Sequence, residues 1–193
     1  MSTEPIGSSK QRIERVAGDL LAREGYAGMG LKAISDGAGL PYGSIYHHFP
    51  GGKEDIAVAA IVAMGAYTGG LLIDLCADGI TGDGIRLMFG VMADRLERSD
   101  WTRGCTIGTP ANDGTAGSEP VRESCESAFS AMIATVAAAL IRQGVDPDTS
   151  HGLATTIIAA YEGATMLART QRSRAPIDAT AEAMVRLLGV TLG

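Results

Sequence analysis

The stretch Leu31–Phe49, LKAISDGAGLPYGSIYHHF, decides how this chain folds. It holds two short helical runs. The first spans about Leu31 to Ala38 and stops at Gly39; the second spans Tyr42 to about His48 and ends at Phe49-Pro50-Gly51-Gly52, with Pro41 breaking the chain between them. Helix, glycine turn and short helix form the layout of a helix-turn-helix. Leu31, Ile34, Ala38, Leu40, Ile45 and Phe49 can pack both runs against a preceding helix. That burial leaves Pro41, Tyr42, Ser44, Tyr46, His47 and His48 at the periphery, where hydroxyl, aromatic and imidazole groups reach phosphates and base edges. From spacing alone, a hairpin that merely packs, with Tyr-His-His as a solvated helix end, remains the alternative.

The preceding helix is legible upstream. Ile13, Val16, Ala17, Leu20 and Leu21 recur at helical spacing and make one apolar stripe. Ser8 with Gln11 three residues later forms a capping box, and Gly25 stands where the helix is expected to stop. No apolar run follows the charges near the N-terminus, so no signal peptide is expected.

Downstream, Lys53-Glu54-Asp55 opens a long helix whose acids complement its dipole. Its stretch Ile56–Ile73 carries 18 residues without a charge, with Gly65 and Gly69 in a GxxxG spacing. The run is mostly Ala, Gly and Thr and is tightly flanked by charges, and no comparable second span accompanies it. A buried core helix is therefore expected rather than a membrane span. Asp78–Gly84 reads as a loop, Ile85–Arg98 as an amphipathic helix, and most of Ser99–Pro120, with Gly104, Gly108, Gly114, Gly117, Pro110 and Pro120, as irregular. Helices are expected over Val121–Gln143, about Thr149–Thr170 and Pro176–Leu192, with Asp146-Pro147-Asp148 as a helix start. No convincing alternating strand exists. The expected class is all-α, about nine helices.

The composition excludes several classes. Of 193 residues, 46% are apolar and 20% charged, an ordinary globular balance. Three cysteines, Cys76, Cys105 and Cys125, without close pairing fit a reducing cytoplasm rather than a disulfide framework. A formal net charge of −6 speaks against a chain whose whole surface is a nucleic-acid footprint. The charge is unevenly placed, however. Residues up to Ile56 carry a net −1 and all three lysines, and the remainder carries −5. Nucleic-acid affinity would then rest on a few local phosphate contacts and depend steeply on salt. No CxxC, HExxH, phosphate loop or nucleotide-binding glycine signature occurs, so no catalytic residue, cofactor or metal site is expected.

Taken in order, Gly25-Tyr26, Ile34 through Ala38-Gly39-Leu40-Pro41, Gly43-Ser44-Ile45-Tyr46-His47-His48-Phe49 and Lys53-Glu54 resemble the tetracycline-repressor (TetR) family of transcription factors. The resemblance implies a homodimer whose N-terminal helices bind operator DNA and whose divergent C-terminal region binds a small inducer. By that resemblance, residues 1–56 form the DNA-binding domain and 57–193 the effector-binding and dimerisation domain. Pro41, Tyr42 and Ser44 would approach the major groove; Tyr46, His47, Lys53 and the start of the second helix at Gly30 and Lys32 would face phosphates. Met29-Gly30 stands where the family has a phosphate-contacting Thr or Ser, which weakens that helix cap. Ser35 replaces the usual Ala. Pro50-Gly51-Gly52 is one residue longer than in most members. Together with Gly104-Cys105-Thr106-Ile107-Gly108, it resembles a branch holding repressors that respond to lincomycin and plant flavonoids, which implies a planar, mostly apolar inducer.

The candidate effector residues are Met64, Tyr67, Met88, Phe89, Met92, Trp101, Cys105, Phe129, Met132, Tyr161, Glu162 and Met166, an apolar, methionine-rich set in which Tyr161 and Glu162 could orient a ligand. Most would also serve in any helical core. Small residues on the last two helices, Ala154, Ala159, Ala160, Gly163, Ala164, Ala179, Ala181 and Ala183, suit a close-packed dimer bundle. A redox-sensing regulator using Cys105 and Cys125, or a small enzyme with a reactive Cys105, are the competing readings.

Overall fold

The computed structural model describes residues 7–112 and 117–193; the loop reading of Gly114 and the reading of the first six residues lie outside them. The described chain is all-helical, with nine helices and no strand: α1 (Ser9–Gly28), α2 (Leu31–Ala38), α3 (Tyr42–His48), α4 (Lys53–Leu75), α5 (Gly82–Arg98), α6 (Gly108–Asn112), α7 (Glu119–Arg142), α8 (Pro147–Gln171) and α9 (Ala175–Leu192). By packing, the chain divides into two compact units. One holds the residues up to Met64 and Thr106–Ala128; the other holds Gly65–Cys105 and Phe129–Gly193.

In the first unit the capping box is formed. Gln11 N–H donates to Ser8 Oγ at 3.3 Å, and Ser8 N–H donates to Gln11 Oε1 at 2.9 Å. Gly25 adopts φ 71°, as a helix-stopping glycine does, but α1 continues for one further turn to Gly28. The expected stop is therefore a kink. Of the predicted stripe Ile13, Ala17 and Leu21 are buried and Val16 and Leu20 half-buried, with Ala22 added to the core; from the hairpin Ile34, Ala38, Ile45 and Phe49 are buried, and Leu31 and Leu40 half-buried. Met29 joins this core, fully buried, at a position where the sequence pattern shows only a missing hydroxyl. α6 lies against α1, where Thr106 Oγ1 donates to the Gly18 carbonyl at 3.3 Å and Thr109 Oγ1 to that of Ala22 at 3.4 Å. Ser118 caps α7 through the Val121 N–H and donates to Glu54 Oε2 at 2.7 Å, which ties two helix starts together.

In the second unit α5 packs on α8 and α9. Its start is Gly82 rather than Ile85, because Thr81 Oγ1 accepts the Gly84 N–H at 3.0 Å and so draws the end of the predicted loop into the helix. Asp146 caps α8 through Thr149 N–H, with Pro147 in the first turn as expected. Arg86 bonds both carboxylate oxygens of Glu182, at 2.7 and 3.1 Å, and Arg174 reaches Asp94 at 2.9 Å and Glu97 at 3.1 Å, so α9 is pinned along α5.

Two expectations about apolar helices need correction. α4 is buried at Ile56, Ala57, Ala60 and Ile61, but Val62 and Ile73 are exposed, and only 28% of its most apolar window is buried. A second helix, α7, also has the length and composition to cross a membrane, with 44% of its window buried. Alanines dilute its apolar run, so counting large residues misses it.

Candidate nucleic-acid interface and effector-side cluster

Gly39 ends α2 in the left-handed conformation (φ 61°, ψ 41°), and Pro41 then caps α3, with its carbonyl accepting Ser44 N–H at 2.9 Å and Ile45 N–H at 3.3 Å. A seven-residue helix with Ile45 inward must turn its remaining side chains outward. Tyr42 is 46% exposed and Tyr46 48% exposed, His47 is exposed, and Ser44 and His48 are half-buried. The two imidazoles meet edge to face, with centroids 5.1 Å apart. Gly52, at φ 67°, lets the Tyr46 ring approach its backbone: a Cβ there would lie 3.4 Å from Tyr46 Cε1.

The cations expected at phosphates are placed unevenly. Lys53 is half-buried, its Nζ 4.6 Å from the Tyr26 ring centroid and donating to the Ala27 carbonyl at 3.2 Å. Lys32 is exposed and paired with Asp36 at 2.6 Å. That carboxylate raises the lysine's proton affinity, chiefly through the hydrogen bond. Gly30 begins α2 with no side-chain cap, as the missing hydroxyl implies, and open space surrounds it. The motif passes over Arg15, an exposed cation of α1 with no internal partner among the described residues. Its only sequence signal is position, one turn beyond Arg12.

The effector candidates separate into groups. Phe89, Met92 and Met132 are buried in the second unit, with Phe89 edge to face against Tyr161 at 5.4 Å. Cys105 and Glu162 share a hydrogen bond beside Tyr161, near Arg95. Burial pushes the Tyr161 hydroxyl up, and it also pushes the Glu162 carboxyl up against the opposing pull of that Cys105 bond. Trp101 and Phe129 are half-buried, and Trp101 follows Asp100 in a pair of non-glycine residues with positive φ, 61° and 51°. Met64 belongs to the first unit. Tyr67 and Met166 are exposed, Met166 at 59%, and Tyr67 lies under Arg95 at 5.6 Å. A small apolar recess is lined by Leu72, Leu75, Cys76, Ile80, Ile85, Met88 and their neighbours; of the candidates it includes Met88 alone.

A helix-turn-helix carried on α1, with aromatic and imidazole groups outward on its second short helix, defines a DNA-binding regulator of transcription. Known proteins agree with that class. Residues 13–60 match the family of bacterial regulatory proteins, tetR family, and residues 81–183 match the transcriptional regulator LmrA/YxaF-like, C-terminal domain, so the chain belongs to the TetR family of transcriptional regulators. It is 30% identical to the HTH-type transcriptional regulator LmrA of Bacillus subtilis (strain 168), over 89% of this chain and 92% of that one. Among solved structures, a TetR transcriptional regulator from Legionella pneumophila superposes with a TM-score of 0.85 at 25% identity, covering 95% and 99% of the two chains. A mutant of the TetR family regulator CifR, solved with a 26 bp double-strand operator DNA, shares the fold at 21% identity and a TM-score of 0.76, covering 95% and 98%. These relatives are transcriptional regulators, not enzymes.

Proposed function

We propose that the protein represses transcription as a homodimer that binds a palindromic operator and is released by a small, mostly apolar inducer. The observation that carries this reading is the outward face of α3, where Tyr42, Tyr46 and His47 stand exposed beside buried Ile45. Residues 1–56 would hold the operator, with Pro41, Tyr42 and Ser44 toward bases and Gly30, Lys32, Tyr46, His47 and Lys53 toward phosphates. Residues 57–193 would bind the inducer and the partner in the bacterial cytoplasm.

Dimerisation through the last two helices is supported by apolar side chains left in water along them. Met166, Leu167, Leu187 and Val190 are exposed, the last at 83%, and open space surrounds Gly152 and Gly163. Two recognition helices about 34–36 Å apart would then meet successive major grooves. An inducer that favours a dimer with another spacing lowers operator affinity by its preference for that state. The pair Tyr161, edge to face with buried Phe89, and Glu162 would orient the ligand. The redox reading has less support: Cys125 is buried with its thiol 3.6 Å from the Ile107 carbonyl.

Selection of bound sequences from a random DNA pool tests the proposal. Enrichment of an inverted repeat supports it, and failure to enrich any sequence at low salt overturns it. A mobility-shift titration then tests release: a tightly bound ligand that leaves operator affinity unchanged is not the inducer.

A further inference from the structure

Three consecutive carbonyls, those of Ala38, Gly39 and Leu40, form the turn of the helix-turn-helix. Those of Ala38 and the cap residue Gly39 belong to the end of α2, which leaves them without intrahelical partners, and that of Leu40 follows directly. The Gly39 and Leu40 N–H groups turn back to the carbonyls of Asp36 and Ser35, at 3.2 and 3.1 Å. From α1, Arg12 donates Nε to the Ala38 carbonyl at 3.1 Å, adds a second bond there through a terminal guanidinium nitrogen, and extends that nitrogen to the Gly39 carbonyl at 3.3 Å. From within α2, Ser35, 8% exposed, donates Oγ to the Leu40 carbonyl at 2.6 Å. The next residue is Pro41, the cap of α3.

We propose that Arg12 and Ser35 form a two-sided clamp on this turn and are specificity-determining positioning residues for operator reading; the assignment rests on the DNA-binding reading above. The guanidinium complements the negative end of α2 and satisfies two carbonyls at once, which a planar fork does better than an ammonium. It holds α1 to the turn, while Ser35 holds the turn to α2. Between them they fix the direction in which the chain enters α3, and so where Tyr42 and Ser44 meet base edges. Arg12 is thereby withdrawn from phosphates. Ser35, by pattern a tolerable change from Ala, supplies a bond that Ala cannot make. Both act through the backbone, so their effect falls on discrimination between DNA sequences rather than on charge neutralisation.

The test uses the full-length dimer, its selected inverted repeat, and the same duplex with the half-site bases changed, over a range of salt. Ser35→Ala is expected to weaken binding to the selected repeat about threefold, and Arg12→Met on the order of tenfold, as removal of a neutral and of a charge-assisted bond implies. Binding to the altered duplex should stay within twofold, so discrimination falls by the same factors. Arg12→Lys should recover part of it. The slope of log K against log salt should not change, since every phosphate partner stays in place. A slope reduced by about one per subunit makes Arg12 a phosphate ligand and overturns the clamp. Unchanged discrimination in Ser35→Ala and Arg12→Lys overturns it too, as does equal weakening on both duplexes. Circular dichroism melts establish that each variant is folded at the assay temperature; if Arg12→Met is not, Ser35→Ala and Arg12→Lys decide. A parent protein that enriches no sequence removes the DNA reading itself, a result separable from a parent that binds while its variants match it.

Discussion

The turn of the helix-turn-helix and the seam between α5 and α9 use their cations differently, although ion pairs such as Lys32–Asp36 also occur in the first unit. Around the helix-turn-helix, Arg12 and Lys53 donate to backbone carbonyls, those of Ala38, Gly39 and Ala27. In the second unit, Arg86, Arg172 and Arg174 donate to carboxylates: Glu182, Asp100, Asp94 and Glu97. A carbonyl does not titrate and belongs to the chain path itself, so an arginine bound to it fixes where the backbone goes. An exposed carboxylate holds one helix face against another through a Coulomb attraction that salt weakens. A DNA reader that must keep its geometry against a polyanion is well served by the first arrangement, because its turn holds no acid that would repel phosphate.

The largest expected effect sharpens this contrast. On the proposed reading, in which Tyr42 meets a base edge, Tyr42→Ala should weaken operator binding by about 1–3 kcal/mol. Its melting temperature should hardly move, because Tyr42 is exposed and packs nothing in the core. Fluorescence anisotropy beside a thermal melt checks both halves; a large melting shift would show that this face serves stability. Gly39→Ala comes next. It places an L residue in the left-handed region, with its Cβ 3.4 Å from the Arg12 guanidinium, and should cost about 1–2 kcal/mol by urea unfolding, independent of salt. Arg174→Ala should cost below about 1 kcal/mol at low salt, and the cost should shrink toward zero at high salt, since its partners are partly exposed. Equal salt dependence at Gly39 and Arg174 would dissolve the distinction between the turn and the α5–α9 seam.

The last prediction is a slope. Burial raises the Glu162 carboxyl above its unfolded value, with the Cys105 bond opposing. The folded state therefore holds the proton more tightly. This contribution to stability is fully present below the ordinary glutamate range and declines as pH rises through the raised folded value. Glu162→Gln should flatten that part of the profile and leave the variant the more stable protein at neutral pH. A parallel profile for parent and variant would show that folding leaves the proton affinity of Glu162 unchanged.

Much of the fold is legible because its signals are local. Ser8 and Gln11, Gly39, Pro41 and the Asp146-Pro147 start each act within four residues, and each stands at the helix boundary it marks. Glycine signals mislead where a neighbouring cap or a tertiary bond overrides them. Thr81 pulls α5 back into a glycine-rich loop, and α1 resumes after the Gly25 kink, where Lys53 covers the carbonyl of Ala27. The outward residues of α3 can be named from the pattern, since one buried Ile45 fixes the face of so short a helix. Arg15 cannot, because a cation's availability depends on which acids and carbonyls reach it.

Periodicity, caps and glycine conformations thus set the order and boundaries of the helices, and the ordered motif from Gly25 to Glu54 set the family. Only packing decided what each polar side chain does. Arg12 meets the Ala38 carbonyl across 26 residues, Lys53 meets that of Ala27 across another 26, and Ser118 meets Glu54 across 64. The physical reason is range: a cap or a left-handed glycine responds to its own turn of backbone, whereas a hydrogen bond over such separations exists only once the apolar stripes have brought the helices together.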